Sequence, residues 1–113
     1  MRMGGPGYTT ITTIATNSPR LIGLMGAYTG KLYPLVRVTV SVGRDKSNTI
    51  VLADDRMISR RHAEIHLQNG DAVIKDIGST NGTFVNGSRI VSALILRAGD
   101  EIRFGDTRFR FEA

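Results

Sequence analysis

Arg44, Ser59, Arg60, Thr80 and Asn81 are the residues of this 113-residue chain best suited to holding an oxyanion. A guanidinium presents a planar fork of donors that matches phosphate geometry, and Arg44 and Arg60 supply two of them. Ser59 and Thr80 add hydroxyl donors, and Asn81 adds an amide that both donates and accepts. They fall in three clusters: Gly43-Arg44, then Ile58-Ser59-Arg60-Arg61-His62, then Gly78-Ser79-Thr80-Asn81-Gly82-Thr83. Turns contribute successive backbone N–H groups to such a nest.

The parts needed to transfer or hydrolyse a phosphate are missing from the sequence. There is no Lys-Ser/Thr phosphate loop, no paired carboxylates for Mg²⁺ and no Gly-x-Gly-x-x-Gly opening a helix. Ser59 and His62 lack a nucleophile elbow, and neighbours on one short loop rarely make a productive pair. His62 and His66 stand four residues apart on an expected strand, about 13 Å, too far to share a metal ion. The chain has no cysteine, hence no thiolate nucleophile, thiolate metal site or disulfide. The residues describe binding without catalysis, metal or cofactor.

The elements that must position these clusters read as strands. Val36, Val38, Val40 and Val42 alternate with polar residues and predict one strand with a single apolar face. Ala63, Ile65 and Leu67 alternate with Glu64, His66 and Gln68 in the same way. Asn69-Gly70 accepts the positive φ of a tight turn and predicts a hairpin of residues 62–68 and 71–77. Gly105-Asp106 predicts another, between Ile102/Phe104 and Phe109/Phe111. Asn81-Gly82 and Asn86-Gly87 mark further turns, and no segment has the spacing and length of a helix. Short strands at close spacing predict an all-β, two-sheet antiparallel sandwich, with Phe84, Phe104, Phe109 and Phe111 in its core. All three polar clusters then lie at strand ends, where loops on a rigid scaffold carry binding residues.

Taken singly, each cluster is ordinary turn chemistry; their order and spacing is not. Gly43-Arg44, Ser59-x-x-His62 and Ser79-Thr80-Asn81-Gly82-Thr83, followed by Asn86-Gly87, resemble the forkhead-associated (FHA) domain, a phosphothreonine-recognition module. Asp76-Ile77, Gly99-Asp100 and Phe104-Gly105 fit the same pattern, and the resemblance spans residues 20–113. It implies that Arg44 and Ser59 bind the phosphate, that Thr80 adds a donor, and that Arg60 supplies a second charge. Asn81 would hold the peptide backbone beside the phosphothreonine. Gly43 and Gly82 would let the loops turn, and His62 would brace the Ser59 loop. The residue three beyond the phosphothreonine would meet the loop 54–58, where Met57 suits an aliphatic neighbour and Arg56 an acidic one. The implied ligand is a phosphothreonine-containing protein or peptide made by an upstream Ser/Thr kinase.

Composition bounds the remaining classes. Fifteen Lys and Arg against ten Asp and Glu give a net charge of +5, which favours anionic partners. The basic residues are scattered rather than blocked, and exposed aromatics for base stacking are lacking, so nucleic acid fits less well. An FHA fold that mediates assembly without phosphate is the other alternative, but it is expected to lose the arginine or serine that Arg44 and Ser59 retain. No apolar run is long enough to span a bilayer and the N-terminus lacks a signal core, which suits the cytoplasm. Residues 1–19, rich in Gly and Thr, are expected to form a flexible tail with a short strand near Tyr8–Ile11. Their threonines, such as Thr9 and Thr12, are then open to a kinase.

Overall fold

The computed structural model describes residues 18–113. The expected tail therefore lies almost wholly outside the described residues. Of it, Pro19 belongs to the folded unit, since its carbonyl accepts the N–H of Leu35 at 2.9 Å.

Among the described residues there are eleven strands and no helix. One sheet holds β2 (Leu32–Pro34), β1 (Arg20–Met25), β11 (Thr107–Glu112), β10 (Glu101–Phe104), β7 (Thr83–Val85) and β8 (Ser88–Arg89), in that order. The other holds β4 (Ile50–Val51), β3 (Thr39–Gly43), β5 (Ala63–Gln68), β6 (Asp71–Asp76) and β9 (Leu94–Leu96). All pairings are antiparallel except β3 with β4, where Val42 faces Ile50 in parallel register. The expected sandwich is therefore present, with one parallel pair at its edge.

Alternation builds the core. Along β11 the residues run buried, half-buried, buried, so Phe109 and Phe111 point inward while Arg108 and Arg110 point out. Phe104 and Phe109 are fully buried and meet edge to face at a centroid distance of 6.1 Å. From the other sheet, Val40, Val42, Ile65 and Ile74 close the layer with at most 1% exposure. Asn69 and Gly70 have φ of 50° and 85°, the pair of positive values that a right-twisting two-residue hairpin needs, and β5 and β6 flank them as expected. Gly105 turns β10 into β11 with φ of 57°.

Two expectations are corrected. The valine strand begins only at Thr39: Val36 and Val38 are 78% and 74% exposed, and Leu35 (2%) takes the core position ahead of them. The chain bends between Leu35 and β3, so alternation of residue type runs on past the point where the ladder starts. Phe84 is not core either. Its neighbours Thr83 and Val85 point inward, which turns the Phe84 ring onto the outer face of its sheet.

The loops β3–β4 (44–49), β4–β5 (52–62) and β6–β7 (77–82) gather at one end of the sandwich, where bonds between them tie one to the next. Two inward anchors fix the β4–β5 loop to the opposite sheet. Buried Asp55 accepts from Asp106 N at 2.9 Å and Thr107 Oγ1 at 2.7 Å, and Tyr28 Oη accepts from Asp54 N at 2.9 Å.

Candidate functional site

The site is built on backbone groups. The N–H of Arg44 donates to Ser59 O at 3.0 Å, and its Nε donates to Ile58 O at 3.0 Å. The guanidinium is thus pinned through Nε beside Ser59, and the Arg44 residue is exposed. Ser59 Oγ accepts from Thr80 N at 3.0 Å, which joins the second and third loops and leaves the serine proton to donate outward. Asn81 Nδ2 donates to Met57 O at 2.8 Å, so its carbonyl oxygen is the group that faces away from the protein. Arg44, Ser59, Thr80 and Asn81 are therefore brought together, as the sequence reading expected of neighbours in one site.

His62 stands beneath them, fully buried. Its Nδ1 accepts from Ser59 N at 3.0 Å and its Nε2 donates to Gly82 O at 2.9 Å. Only the neutral ring with its proton on Nε2 can do both, so this geometry fixes the tautomer. Burial pulls the His62 pKa below the ordinary imidazole value, outweighing the Gly82 carbonyl and the carboxylates of Asp76 and Asp55, which act the other way. One ring thus spans the Ser59 loop and the Asn81 loop, against the edge of Phe104 at 5.5 Å.

Gly43 holds the close approach between β3 and the second loop rather than a turn. Its φ is not positive, and it lies in the strand. A Cβ there would stand 2.1 Å from Arg60 O, a backbone atom that cannot yield cheaply. Gly82 does turn, with φ of 90°, and the Arg89 side chain packs where its Cβ would be, Nε at 2.7 Å. Arg60 itself is exposed. Among the described residues neither Arg44 nor Arg60 has a carboxylate within ion-pair distance. Arg60 still feels the nearby Asp45 carboxylate, whose pKa it helps to lower behind the Ser47 hydrogen bonds, so Arg44 is the cation of the two with no carboxylate acting on it among the described residues.

Three further residues hold this frame: Asn48 and Asp55, to which the sequence assigned no part in the site, and Asp76, noted there only as part of the family pattern. Asn48 Nδ2 bonds both Asp45 O and Arg60 O at 2.7 Å, tying the first loop to the second. Asp55 Oδ1 accepts from Met57 N at 2.9 Å, shaping the turn that leads into Ser59. Asp76 organises the third loop: its carboxylate accepts from Gly78 N at 2.9 Å, Ser79 N at 2.9 Å, the Ser79 hydroxyl and Thr83 Oγ1 at 2.7 Å. Burial alone would raise the Asp76 pKa, but the bonds from Ser79, Thr83 and Gly78 together hold it below the usual carboxylate value. An Asp three residues before a Ser is a legible turn signal; Asn48, set in a run of polar residues, carries none.

The arrangement can grip a tetrahedral anion and an extended backbone beside it. Among the described residues no cluster of His, Asp or Glu is placed to bind a metal ion.

Comparison with known proteins agrees with the geometry. The family model for the FHA domain matches residues 40–105. The chain is 39% identical over 98 residues to the glycogen accumulation regulator GarA of Mycolicibacterium smegmatis, covering 87% of this chain and 61% of that protein. It is 37% identical over 115 residues to the oxoglutarate dehydrogenase inhibitor of Corynebacterium efficiens, covering 98% of this chain and 80% of that one. Among solved structures it superposes with a TM-score of 0.78 and 32% identity on an FHA domain from work on phosphothreonine-dependent FHA interactions, covering 86% of this chain and 97% of that one.

Proposed function

The chain belongs to the FHA family, and from that premise we propose that its loop face binds a phosphothreonine on a partner protein and performs no chemistry of its own. The observation that carries the reading is the convergence of Arg44, Ser59 and Thr80, with Arg44 in no ion pair among the described residues. A phosphothreonine brings about −1.5 to −2 charges and three strong acceptor oxygens, which match these donors. In this reading Arg44 takes the phosphate through its terminal nitrogens, and Ser59 Oγ and the Thr80 hydroxyl donate to the same group. Arg60 adds a second cation. Asn81, anchored on Met57 O, offers its carbonyl oxygen to a peptide N–H. His62, Gly43 and Gly82 hold the loops in place without touching the ligand.

The partner is then a substrate of a Ser/Thr kinase, and binding reports that kinase's activity. A kinase needs ATP, which assigns the encounter to the cytoplasm. Retention of both Arg44 and Ser59 speaks against an assembly role independent of phosphate.

The test is calorimetry with degenerate peptide libraries carrying phosphothreonine, phosphoserine or unmodified threonine at a fixed position. The expected result is binding of the phosphothreonine library alone, or much the tightest. Equal affinity for the unmodified library would overturn the proposal.

A further inference from the structure

The outer face of the β2-β1-β11-β10-β7-β8 sheet carries five arginines, Arg20, Arg89, Arg103, Arg108 and Arg110, against two glutamates, Glu101 and Glu112. Three of the five are ion-paired, two of them sharing one carboxylate. Arg20 and Arg110 reach Glu112 at 3.3 Å and 2.6 Å, and Arg108 reaches Glu101 at 3.2 Å. Arg103 and Arg89 have no carboxylate partner among the described residues.

Register puts these two in one row. Arg89 is opposite Phe84, Phe84 opposite Arg103, and Arg103 opposite Arg108. Like charges directly opposed across a ladder destabilise it, so Arg103 beside Arg108 works against the fold. The Arg103 guanidinium lies over the Phe84 ring at 4.0 Å, held flat with one nitrogen on Gly105 O at 3.1 Å. A hollow of about 240 Å³ opens beside it, lined by Asn86, Gly87, Glu101, Arg103 and Arg108. The row begins at the proposed site, because Arg89 packs on Gly82, next to Asn81.

We propose that this row, Arg89 to Arg103 across Phe84, is a docking track for acidic residues flanking the phosphothreonine on the same partner peptide. The inference rests on the phosphopeptide reading and extends it to the sequence around the phosphorylated residue. Neighbouring strands lie about 4.8 Å apart, so the track from β8 to β10 is about 10 Å long. Three extended residues span that distance. An acidic run within a few residues of the phosphothreonine therefore reaches both arginines. Nucleic acid fits less well, because the Phe84 face that would stack a base is covered by Arg103.

The test compares three phosphothreonine peptides of one core sequence: four Glu on the N-terminal flank, four Glu on the C-terminal flank, or four Gln on both. Each is titrated into the parent chain, into Arg89→Gln/Arg103→Gln, and into Arg37→Gln/Arg97→Gln, which removes the same charge elsewhere. Thermal melts establish that each variant is folded. One acidic flank is expected to bind the parent and the Arg37/Arg97 variant about tenfold more tightly than the Gln peptide, with the gain fading in high salt. In the Arg89/Arg103 variant the gain is expected to vanish while affinity for the Gln peptide stays within about twofold. An undiminished gain in that variant overturns the track. So does equal loss for all three peptides, which would place these arginines in the phosphate site itself. If the parent binds no phosphopeptide, both readings fall. If single-stranded DNA rather than the acidic flank loses affinity in the Arg89/Arg103 variant, the face is a nucleic-acid surface and the track is refuted.

Discussion

The backbone N–H of Thr80 donates to Ser59 Oγ at 3.0 Å, joining two loops whose residues lie 21 positions apart. This bond holds the serine oxygen in place before any ligand arrives. The oxygen accepts from inside, so its own proton stays available to donate to another acceptor. With the side chain already placed, less ordering is left for binding to impose.

Ser59→Ala is therefore expected to weaken phosphothreonine-peptide binding by about 1.5–3 kcal/mol, the worth of a hydrogen bond to a charged group. The fold is expected to persist, since the Thr80 N–H lies at an exposed residue and water can replace the lost acceptor. Calorimetry and a thermal melt on the same sample check both halves.

Arg44→Lys keeps the charge but loses the fork. In the parent one nitrogen is spent on Ile58 O and the others remain. An ammonium must serve both acceptors from a single atom on a flexible stem. The expected loss is about tenfold in affinity, against about 2–5 kcal/mol for Arg44→Ala. Parent-like affinity of the lysine variant would remove bidentate recognition from the account.

His62 gives the domain a pH dependence whose sign follows from its lowered pKa. The unfolded chain takes up the imidazole proton near pH 6.5, the folded chain only at lower pH. The stability that neutral His62 brings is thus fully present above about 6.5 and is lost as pH falls toward the folded value. Asp76, also lowered, loses its contribution in a second window, as pH falls below about 3.9. Urea denaturation across pH 7.5 to 5 is expected to show declining stability in the parent and a flatter course in His62→Gln. That variant starts about 2–4 kcal/mol less stable, because the ring leaves Ser59 N and Gly82 O without their buried partner.

Gly43→Ala is expected to cost about 2–3 kcal/mol or more, by driving a methyl group into Arg60 O. Gly70→Ala makes the instructive contrast. It has φ of 85° but nothing within 4 Å, so the cost is about 1 kcal/mol of backbone strain with binding untouched. Peptide affinity is expected to fall only in the first, since Arg60 and Ser59 share the displaced loop.

The sequence was most legible where one residue type has one use. Asn69-Gly70 announces a hairpin and Asn86-Gly87 a turn because few other residues accept two positive φ values in succession. The residues gathered at the loop face, Arg44, Ser59, Thr80 and Asn81, were legible through the order and spacing of their three clusters, since each cluster taken singly is ordinary turn chemistry. Legibility failed where a choice is made by a distant partner. Val36 and Val38 look like strand residues until Leu35 fills the core and ends the ladder early. Phe84 looks like core until Asp76 claims Thr83 for the inside of the same short strand. Asn48 is one polar residue among several until its amide is seen bridging Asp45 O and Arg60 O. Gly43 signals a turn by its type, whereas its use is to let Arg60 approach.

The loop that leads into Ser59 is held through main-chain atoms: Met57 N and O, Ile58 O, Ser59 N and O, and Arg60 O. The side chains of Arg56 and Met57 take no part in that lattice and are exposed. In the proposed reading, grip and selectivity are thereby carried by different atoms of the same few residues. Drift at positions 56 and 57 would then rewrite which partners are admitted while every bond that seats the phosphate stays in place. A module built so would be free to change its clientele without relearning how to hold on.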